Sequence, residues 1–154
     1  MKQIKNYVSP VDGAPATAGQ PTEDQLRIVA AGGMALVINL GLLDPKYCLP
    51  DEAGFVRRLG MTYHHIPVAF DAPTREQLDR LMELLRDADP VRTLVHCAAN
   101  YRATCFVAFY GERVLGWSRR RADEYIERIW SPDEVWTRFL EVLRSESNVD
   151  QRPE

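Results

Sequence analysis

Residues 91–110, VRTLVHCAANYRATCFVAFY, constrain the fold more than any other stretch of this 154-residue chain. A short apolar run over residues 93–95 leads into His96 and Cys97, four residues follow, and Arg102 then opens an apolar, helix-like segment. A strand that enters a tight loop and then a helix directs backbone N–H groups and the helix N-terminus at one spot. The stretch therefore predicts a strand–loop–helix unit that can hold an anion such as phosphate.

Cys97 is the candidate nucleophile, because positive potential at the start of such a loop favours the thiolate. Arg102 can turn its guanidinium back over the loop and bind two oxygens of a phosphate. Thr104 is predicted to donate its hydroxyl to the departing thiolate. His96 is predicted to orient the loop through backbone carbonyls, and a role as the base is less favoured because adjacent strand residues point to opposite faces. The alternatives are a buried structural cysteine, a surface ion pair for the arginine and a helix-start role for the threonine.

The loop after the cysteine is the predicted substrate-binding segment. Its residues are Ala98, Ala99, Asn100, Tyr101 and Arg102. We expect their backbone N–H groups to hold the phosphate oxygens. Tyr101 has two open interpretations: it stacks on an aromatic substrate, or it shields the loop.

These residues also carry a family resemblance. His96-Cys97, Arg102 and Thr104 resemble the signature loop of the cysteine-dependent protein tyrosine and dual-specificity phosphatases. Residues 18–22 (AGQPT), 37–40 (VINL), 65–68 (HIPV) and 72–74 (APT) resemble segments of a small bacterial tyrosine-phosphatase-like family. The resemblance covers roughly residues 4–143. It implies a three-layer phosphatase-like sandwich, a phosphocysteine intermediate, and no metal or organic cofactor.

The loop spacing departs from that of the phosphatases, which place five residues between the cysteine and the arginine where this chain has four. Either the loop is one residue shorter, or it keeps its length and the arginine has moved one place earlier. Thr104 lies seven residues after Cys97, as in the phosphatase pattern, and this favours the second explanation. Asn100 takes the place usual for glycine, and asparagine is the best non-glycine residue for a turn with positive φ.

Cleavage of a phosphate ester also needs an acid that protonates the leaving oxygen. Asp71 is the first candidate, because it lies in a short loop after a predicted strand and ahead of a capped helix. In the phosphatases that the chain resembles, the acid lies on a loop after the equivalent strand, close to a proline, and Pro73 is close here. Asp44, in a Leu-Asp-Pro turn, is the second candidate. A purely turn-forming role for Asp71 stays open.

The order of strand and helix patterns predicts an α/β fold with a mainly parallel central sheet flanked by helices. Predicted strands cover residues 4–8, 34–40, 61–69 and the run into Cys97. Helices are predicted after the capping residues Thr22, Asp51, Thr74 and Ser118, after Arg102, and from the cap-and-proline sequence at 131–134 to about Arg144. The reactive loop then lies at the carboxyl end of a strand, where open α/β sheets bind ligands.

Composition narrows the class of protein. The length fits one phosphatase-like domain over residues 1–144 with a polar C-terminal tail over 145–154. A net charge of −3 argues against a dedicated nucleic-acid binder or a polybasic membrane surface. The longest apolar stretch is interrupted by glycine and asparagine, so no transmembrane helix is predicted. Three cysteines without a secretory leader favour a reducing cytoplasm.

Other reactive residue types have structural interpretations. His64 and His65 are neighbours on a predicted strand and have no second cluster at ligand spacing, so no metal site is predicted. Cys48 or Cys105 could protect Cys97 as a reversible disulfide, but burial or indifferent exposure is the simpler expectation. The basic run at 119–121 is followed by acidic residues within two turns, which is typical of a solvated helix face.

Three functions are compatible with these residues. The first, which we predict, is a phosphatase acting on a phosphorylated small molecule or a phosphoprotein. The second is sulfur transfer, because four residues between cysteine and arginine is the loop length of rhodanese-like proteins, although persulfide transfer leaves Asp71 without a role. The third is a phosphate-binding protein without catalysis, in which the displacement of Arg102 has abolished the activity.

Overall fold

The computed structural model describes residues 3–150, with side chains through residue 146. Its centre is a four-stranded sheet in the order β1-β4-β2-β3, in which every neighbouring pair is parallel. The strands are β1 (Ala16–Ala18), β2 (Leu36–Asn39), β3 (Thr62–His65) and β4 (Thr93–His96). The predicted α/β fold with a mainly parallel sheet is confirmed.

Six α-helices accompany the sheet in the described part of the chain. They are α1 (Glu23–Ala31), α2 (Glu52–Arg58), α3 (Arg75–Arg86), α4 (Tyr101–Val114), α5 (Arg119–Glu127) and α6 (Glu134–Asp150), and a 3₁₀ turn at Pro90–Arg92 precedes β4. Within residues 3–150, no helix is both long enough and apolar enough to cross a membrane.

The two faces of the sheet carry separate parts of the core. Val37 packs on one face with Leu26 of α1 and Phe55 of α2. Ile38, the next residue of β2, belongs to the larger core on the other face, to which α3, α4, α5 and α6 contribute. Because neighbouring strand residues alternate between faces, a strand that is apolar throughout needs helices on both sides. The result is the predicted three-layer arrangement of helices, sheet and helices.

Side-chain caps set the helix starts where the sequence predicted them. Thr22 and Gln25 exchange hydrogen bonds at the start of α1, and Thr74 and Gln77 do the same at the start of α3. Each capping box satisfies backbone donors that the helix itself leaves without acceptors. The single-residue caps of α2 and α5 are Asp51 and Ser118. The loop that carries Asp71 therefore ends at a firmly capped helix.

The prediction for the N-terminal segment was wrong. Residues 4–8 form a turn closed by the Tyr7 N–H and the Ile4 carbonyl, and only Val8 makes a bridge, to Thr17. The strand of this region is β1, which lies outside all of the predicted strands. Its three residues are small and fully buried, so they carry no alternating apolar pattern from which a strand could be predicted.

Several elements differ in extent from the prediction. β2 and β3 are shorter than residues 34–40 and 61–69. α6 begins after Asp133, whose carboxylate accepts from the Trp136 N–H at 3.0 Å, rather than after Ser131. It continues past Arg144 to Asp150, because residues 145–150 contain no glycine or proline to end it. Residues 151–154 lie outside the described residues, and the division of the chain at residue 144 stays a prediction.

Candidate active site

The Cys97 loop, residues 97–102, joins the end of β4 to the start of α4. β4 is an inner strand between β1 and β2, so the loop leaves the middle of the sheet at its carboxyl edge. The Cys97 N–H donates to the Ala18 carbonyl at 3.2 Å, which carries the pairing of β1 with β4 one step further. Cys97 is 1% exposed. The predicted strand–loop–helix unit is present, with the cysteine buried at its start.

Asn100 turns this loop into the helix. Its φ of 70° and ψ of 5° are left-handed, a conformation that asparagine tolerates better than most residues. α4 begins at Tyr101, and the Thr104 N–H donates to the Asn100 carbonyl at 3.0 Å. The positive φ agrees with the sequence expectation. Since Arg102 is only the second helical residue, the positions fit a loop of unchanged length whose arginine lies one place early.

The start of α4 carries no side-chain cap. The first N–H groups of any α-helix have no acceptor within the helix, and here they belong to Tyr101, Arg102 and Ala103. These donors and the positive end of the helix dipole both favour an anion. Because only three residues separate Cys97 from Tyr101, the sulfur and this anion site belong to the same short loop.

Hydrogen bonds from the N-terminal segment hold the carbonyls of the loop. The Ala98 carbonyl accepts from the Gln20 N–H at 3.0 Å, and the Ala99 carbonyl accepts from the Asn6 side chain at 2.9 Å. The Asn100 side chain returns the contact by donating to the Asn6 carbonyl at 2.8 Å. The C=O and N–H of one trans peptide point in opposite directions. The N–H group of Ala99, which shares a peptide with the Ala98 carbonyl, therefore points away from the Gln20 N–H.

Asn100 and Gly19 complete the contact between the loop and β1. Asn100 Nδ2 also donates to Thr17 Oγ1 at 3.1 Å, and that hydroxyl lies 2.9 Å from the Tyr125 hydroxyl. Gly19 lies so close to the loop that a Cβ added there would be 2.7 Å from the Ala98 carbonyl oxygen. Any larger residue at this position would displace the loop backbone.

His96 is fully buried and has a partner at each ring nitrogen. Nε2 lies 2.6 Å from Glu52 Oε2, and Nδ1 lies 3.3 Å from the Cys97 carbonyl oxygen. Glu52 is 4% exposed, and its other oxygen accepts from Gln20 Nε2 at 2.6 Å. Burial by itself raises the pKa of Glu52, but hydrogen bonding and the charge of His96, with a further hydrogen bond from Gln20, bring the pKa below its usual value. The expected contact of His96 with a backbone carbonyl is present.

Arg102 bridges the Cys97 loop and the segment between β3 and α3. It is 6% exposed, and its Nη1 donates to the Val68 carbonyl at 2.8 Å. Its Nε is buried and has no hydrogen-bond partner. A buried donor without an acceptor is destabilising unless a ligand or water supplies one. The arginine therefore has a fixed contact with protein at Nη1 and a buried donor at Nε that has no protein partner.

Thr104 is not bonded to the cysteine. Its Oγ1 donates to the Tyr101 carbonyl at 2.9 Å and accepts from Trp130 Nε1 at 3.2 Å. The expected contact between this hydroxyl and Cys97 is therefore not among its described hydrogen bonds. The Tyr101 ring stacks on Trp130, with centroids 4.6 Å apart and an interplanar angle of 5°. One face of Tyr101 is thus already covered by protein, which favours the shielding interpretation for that face.

The segment that carries Asp71 packs beside the Cys97 loop. The Phe70 ring lies 6.4 Å from Tyr101 and 5.7 Å from Trp130, centroid to centroid. The Phe70 carbonyl accepts from Trp136 Nε1 at 2.7 Å. We call Phe70, Tyr101, Trp130 and Trp136 the aromatic cluster. Asp71 directly follows this anchored residue and is exposed.

Asp44, the second candidate acid, is occupied in its own turn. Its Oδ1 accepts from the Lys46 N–H at 2.9 Å, and its carbonyl accepts from the N–H groups of Tyr47 and Cys48. An aspartate that bonds the backbone two residues on stabilises a turn. Asp71 therefore stays the first candidate for the acid.

The other histidines and cysteines have structural positions. His65 Nε2 lies 2.6 Å from the Gly41 carbonyl oxygen, and no group of three or more His, Cys, Asp or Glu among residues 3–150 is arranged to hold a metal ion. All three cysteines are free. Burial, and then the neighbouring Cys97, raise the pKa of the Cys105 thiol, so Cys105 stays protonated. Cys48 is partly exposed.

Four residues that shape the site were missed in the sequence: Asn6, Thr17, Gln20 and Glu52. They are far from Cys97 along the chain, and their residue types are ordinary in turns, strands and helix starts. Gln20 lies in the segment that carried the family resemblance, so its importance could have been suspected. Glu52 gave no signal, because a glutamate in the first turn of a helix is usually a surface residue that complements the helix dipole.

No protein-family model and no curated protein sequence matches this chain. Solved structures do match it. A candidate phosphatase (DUF442) from Shewanella putrefaciens CN-32 has a TM-score of 0.82 at 25% identity, over 93% of both chains. A mutant form of Tk-PTP has a TM-score of 0.76 at 24% identity, over 92% of this chain and 96% of its own. PTPMT1 in complex with PI(5)P has a TM-score of 0.75 at 16% identity, over 95% and 99%. These likenesses confirm the predicted fold.

Proposed function

We propose that this chain, whose resemblance to the bacterial tyrosine-phosphatase-like family is confirmed, is a cysteine-dependent phosphatase of phosphate monoesters. One observation carries the proposal. Cys97 is buried at the carboxyl end of an inner strand, at the start of a loop that ends in the uncapped N-terminus of α4. That arrangement pairs a sulfur nucleophile with preorganised donors for a phosphoryl group, the two parts that covalent phosphoryl transfer needs.

In the first step the Cys97 thiolate attacks phosphorus, a P–S bond forms, and the P–O bond to the leaving group breaks. The backbone N–H groups of residues 98–103 hold the non-bridging oxygens, and Arg102 adds the donor at Nε. Asp71 transfers its proton to the departing oxygen. His96 orients the loop through its contact with the Cys97 carbonyl oxygen. The position of Asp71 after the anchored Phe70 supports its part in this step.

In the second step water attacks the phosphocysteine. Asp71, now a carboxylate, accepts a proton from that water as the P–S bond breaks. Inorganic phosphate leaves, and Cys97 returns as the thiolate. Thr104 was expected to donate to this thiolate, and a rotation of its hydroxyl away from the Tyr101 carbonyl would be needed first. No metal or organic cofactor takes part in the proposed reaction.

We propose a phosphorylated small molecule or a phosphoprotein as the substrate and the cytoplasm as the location. PTPMT1 binds PI(5)P in the structure compared above, which supports the first of these substrates. The Cys97 loop contains no lysine, and this weakens the case for highly charged inositol phosphates. Three free cysteines agree with a reducing compartment.

The experiment is turnover of p-nitrophenyl phosphate by the wild type, Cys97→Ser and the matched control Cys48→Ser. We expect the first variant to be inactive and the control to keep full activity, because Cys48 lies in a loop outside the site. Quenching after rapid mixing should trap phosphate on Cys97. An inactive wild type that transfers sulfur from thiosulfate would instead establish the sulfurtransferase.

A second candidate function is phosphate binding without catalysis. The contact of Arg102 Nη1 with the Val68 carbonyl favours it, because an arginine held by protein is less free to stabilise a transition state. In that case the wild type binds inorganic phosphate in calorimetry but hydrolyses no ester. Equal phosphate affinity and equal inactivity in wild type and Cys97→Ser would be the result that establishes it.

A further inference from the structure

Glu52 is the one buried carboxylate among the side chains that the structure describes, and the proposed reaction does not use it. Removing an ionised carboxylate from water is unfavourable unless hydrogen bonds and an opposite charge compensate. His96 and Gln20 provide that compensation at 2.6 Å each. Such a buried and fully paired carboxylate, in contact with the residue before Cys97, is a candidate for a functional role.

The contacts of Glu52 reach both residues that flank the nucleophile. One oxygen is bonded to His96, the residue before Cys97. The other accepts from the side chain of Gln20, whose backbone N–H donates to the carbonyl of Ala98, the residue after Cys97. A displacement of Glu52 would therefore move the loop on both sides of the sulfur.

The same contacts assign the charge of His96. Nδ1 faces the Cys97 carbonyl oxygen and Nε2 faces a carboxylate oxygen, so both of its partners accept hydrogen bonds. A neutral imidazole has only one N–H and can satisfy only one of them. The pair is complete when His96 is an imidazolium and Glu52 a carboxylate. His96 precedes Cys97 and contacts its carbonyl oxygen, whereas Glu52 reaches the loop through His96 and Gln20, so we expect the positive charge of the pair to act on the sulfur more strongly than the carboxylate.

We propose that Glu52 is a positioning residue of the active site, which fixes both neighbours of Cys97 and keeps His96 doubly protonated, so that the thiolate forms at lower pH. The inference rests on the proposed function and deepens it. Titratable groups near Glu52 include His65 and Tyr63 of β3, and Asp51, Arg57 and His64 line the same cavity. Burial raises the pKa of Tyr63 to about 12. The negative charge of Glu52 acts in the same direction, and the hydrogen bond with Asn39 acts in the opposite direction. Tyr63 therefore stays neutral.

The test is Glu52→Gln, which keeps the size of the side chain and removes its charge. All variants are made in a Cys48→Ser background. Because Cys105 is buried and its thiol stays protonated, alkylation then reports on Cys97. We expect the pH midpoint of Cys97 alkylation by iodoacetamide to rise by about one unit when a stabilising charge pair is lost. On the acidic limb, kcat/KM for p-nitrophenyl phosphate should fall about tenfold with it, while KM changes little. Glu52→Asp, which keeps the charge, should recover part of both.

A double-variant cycle separates positioning from general destabilisation. If Glu52 acts through His96, then Glu52→Gln combined with His96→Asn should shift the alkylation midpoint no further than His96→Asn alone. Additive shifts, or an unchanged midpoint in Glu52→Gln, would overturn the proposal. Should Glu52→Gln not fold, Gln20→Ala removes one anchor of the carboxylate and should move the midpoint in the same direction by less. The ring ¹⁵N shifts of His96 in the wild type give an independent result, and a neutral ring overturns the proposal.

The outcome is separable from that of the proposed function. A wild type that hydrolyses no phosphate ester, but whose Cys97 midpoint and His96 charge respond to Glu52→Gln, supports the positioning role and removes the phosphatase. A wild type that turns over p-nitrophenyl phosphate, with the Cys97 midpoint unchanged by Glu52→Gln, supports the phosphatase and overturns the positioning role of Glu52.

Discussion

Cys97 lies between two regions that are built in opposite ways. On the side of α2, the charge pair of Glu52 and His96 is buried, and both carboxylate oxygens and both ring nitrogens have a hydrogen-bond partner. On the side of α4, Arg102 keeps a buried Nε without a partner, the helix start has no cap, and Asp71 is exposed. The polar groups on the α2 side are therefore paired with each other or with the loop. The α4 side has hydrogen-bond donors and a carboxyl group that have no protein partner described and that can contact a substrate.

This difference assigns separate tasks to the two regions. A fully paired polar network gives rigidity, because each member is held by the others. Donors that have no protein partner can bond an anion, so they contribute to binding. We therefore expect changes on the α2 side to alter the state of the sulfur, and changes on the α4 side to alter binding and proton transfer.

The largest effect on turnover should come from Asp71, the proposed acid on the α4 side. Asp71→Asn removes the transferable proton, so turnover of an alkyl phosphate should fall about a hundredfold or more. The loss should be much smaller for p-nitrophenyl phosphate, whose leaving group departs with little protonation. Steady-state kinetics with both esters measures the contrast, and Asp44→Asn is the matched control. An equal loss on both esters would mean that Asp71 is structural.

Arg102 should give the next effect, and two substitutions separate its contacts. Arg102→Lys can keep one donor for the Val68 carbonyl but loses Nε and the planar fork. We expect about tenfold weaker inhibition by product phosphate in Arg102→Lys with near-normal unfolding in urea, and a further loss of stability in Arg102→Ala. Full phosphate affinity in Arg102→Lys would mean that the arginine is only a bridge. Moving the arginine to position 103 is a poorer test, because Ala103 is fully buried in the core.

The sequence predicted those parts of the site that local pattern controls. The strand before Cys97, the uncommon φ at Asn100 and the capped helix after Asp71 follow from neighbouring residues. The carboxylate partner of His96 and the carbonyl partner of Arg102 come from residues 44 and 34 positions away, and nothing near either residue predicts them. β1 was missed for a related reason, since three small residues form a strand there only because β4 provides the pairing.

Asn100 tests the boundary between the two regions, because it starts α4 and also bonds the N-terminal segment. Asn100→Ala and Asn100→Gly both lose the hydrogen bonds to Asn6 and Thr17, but only alanine is strained at a φ of 70°. The free energy of unfolding should therefore be about 1 kcal/mol lower for Asn100→Ala than for Asn100→Gly. Equal values in urea would indicate that the loop relaxes to a negative φ.

Lowering the pH should first weaken the stabilising contribution of the Glu52–His96 pair on the α2 side. The pKa of Glu52 lies below its usual 4.5 in the folded protein, because the contributions of His96 and Gln20 exceed the opposing effect of burial. Its stabilising contribution is then complete above that usual value and is lost as the pH falls through the lowered folded value. The effect is modest, being a difference between opposing contributions. The gap in unfolding free energy between wild type and Glu52→Gln should narrow on acidification, and parallel curves would contradict the assignment.

On turnover, the smallest effect should come from the aromatic cluster, which packs against the segment that carries Asp71. Trp136→Phe keeps most of the ring but loses the hydrogen bond from Nε1 to the Phe70 carbonyl, so stability should fall by about 1 kcal/mol. Because Phe70 directly precedes Asp71, turnover of alkyl phosphates should fall severalfold while that of p-nitrophenyl phosphate holds. Trp130→Phe is the control, since its Nε1 bonds Thr104 instead. If both variants lose stability but neither discriminates between the esters, the cluster supports the fold and does not position the acid.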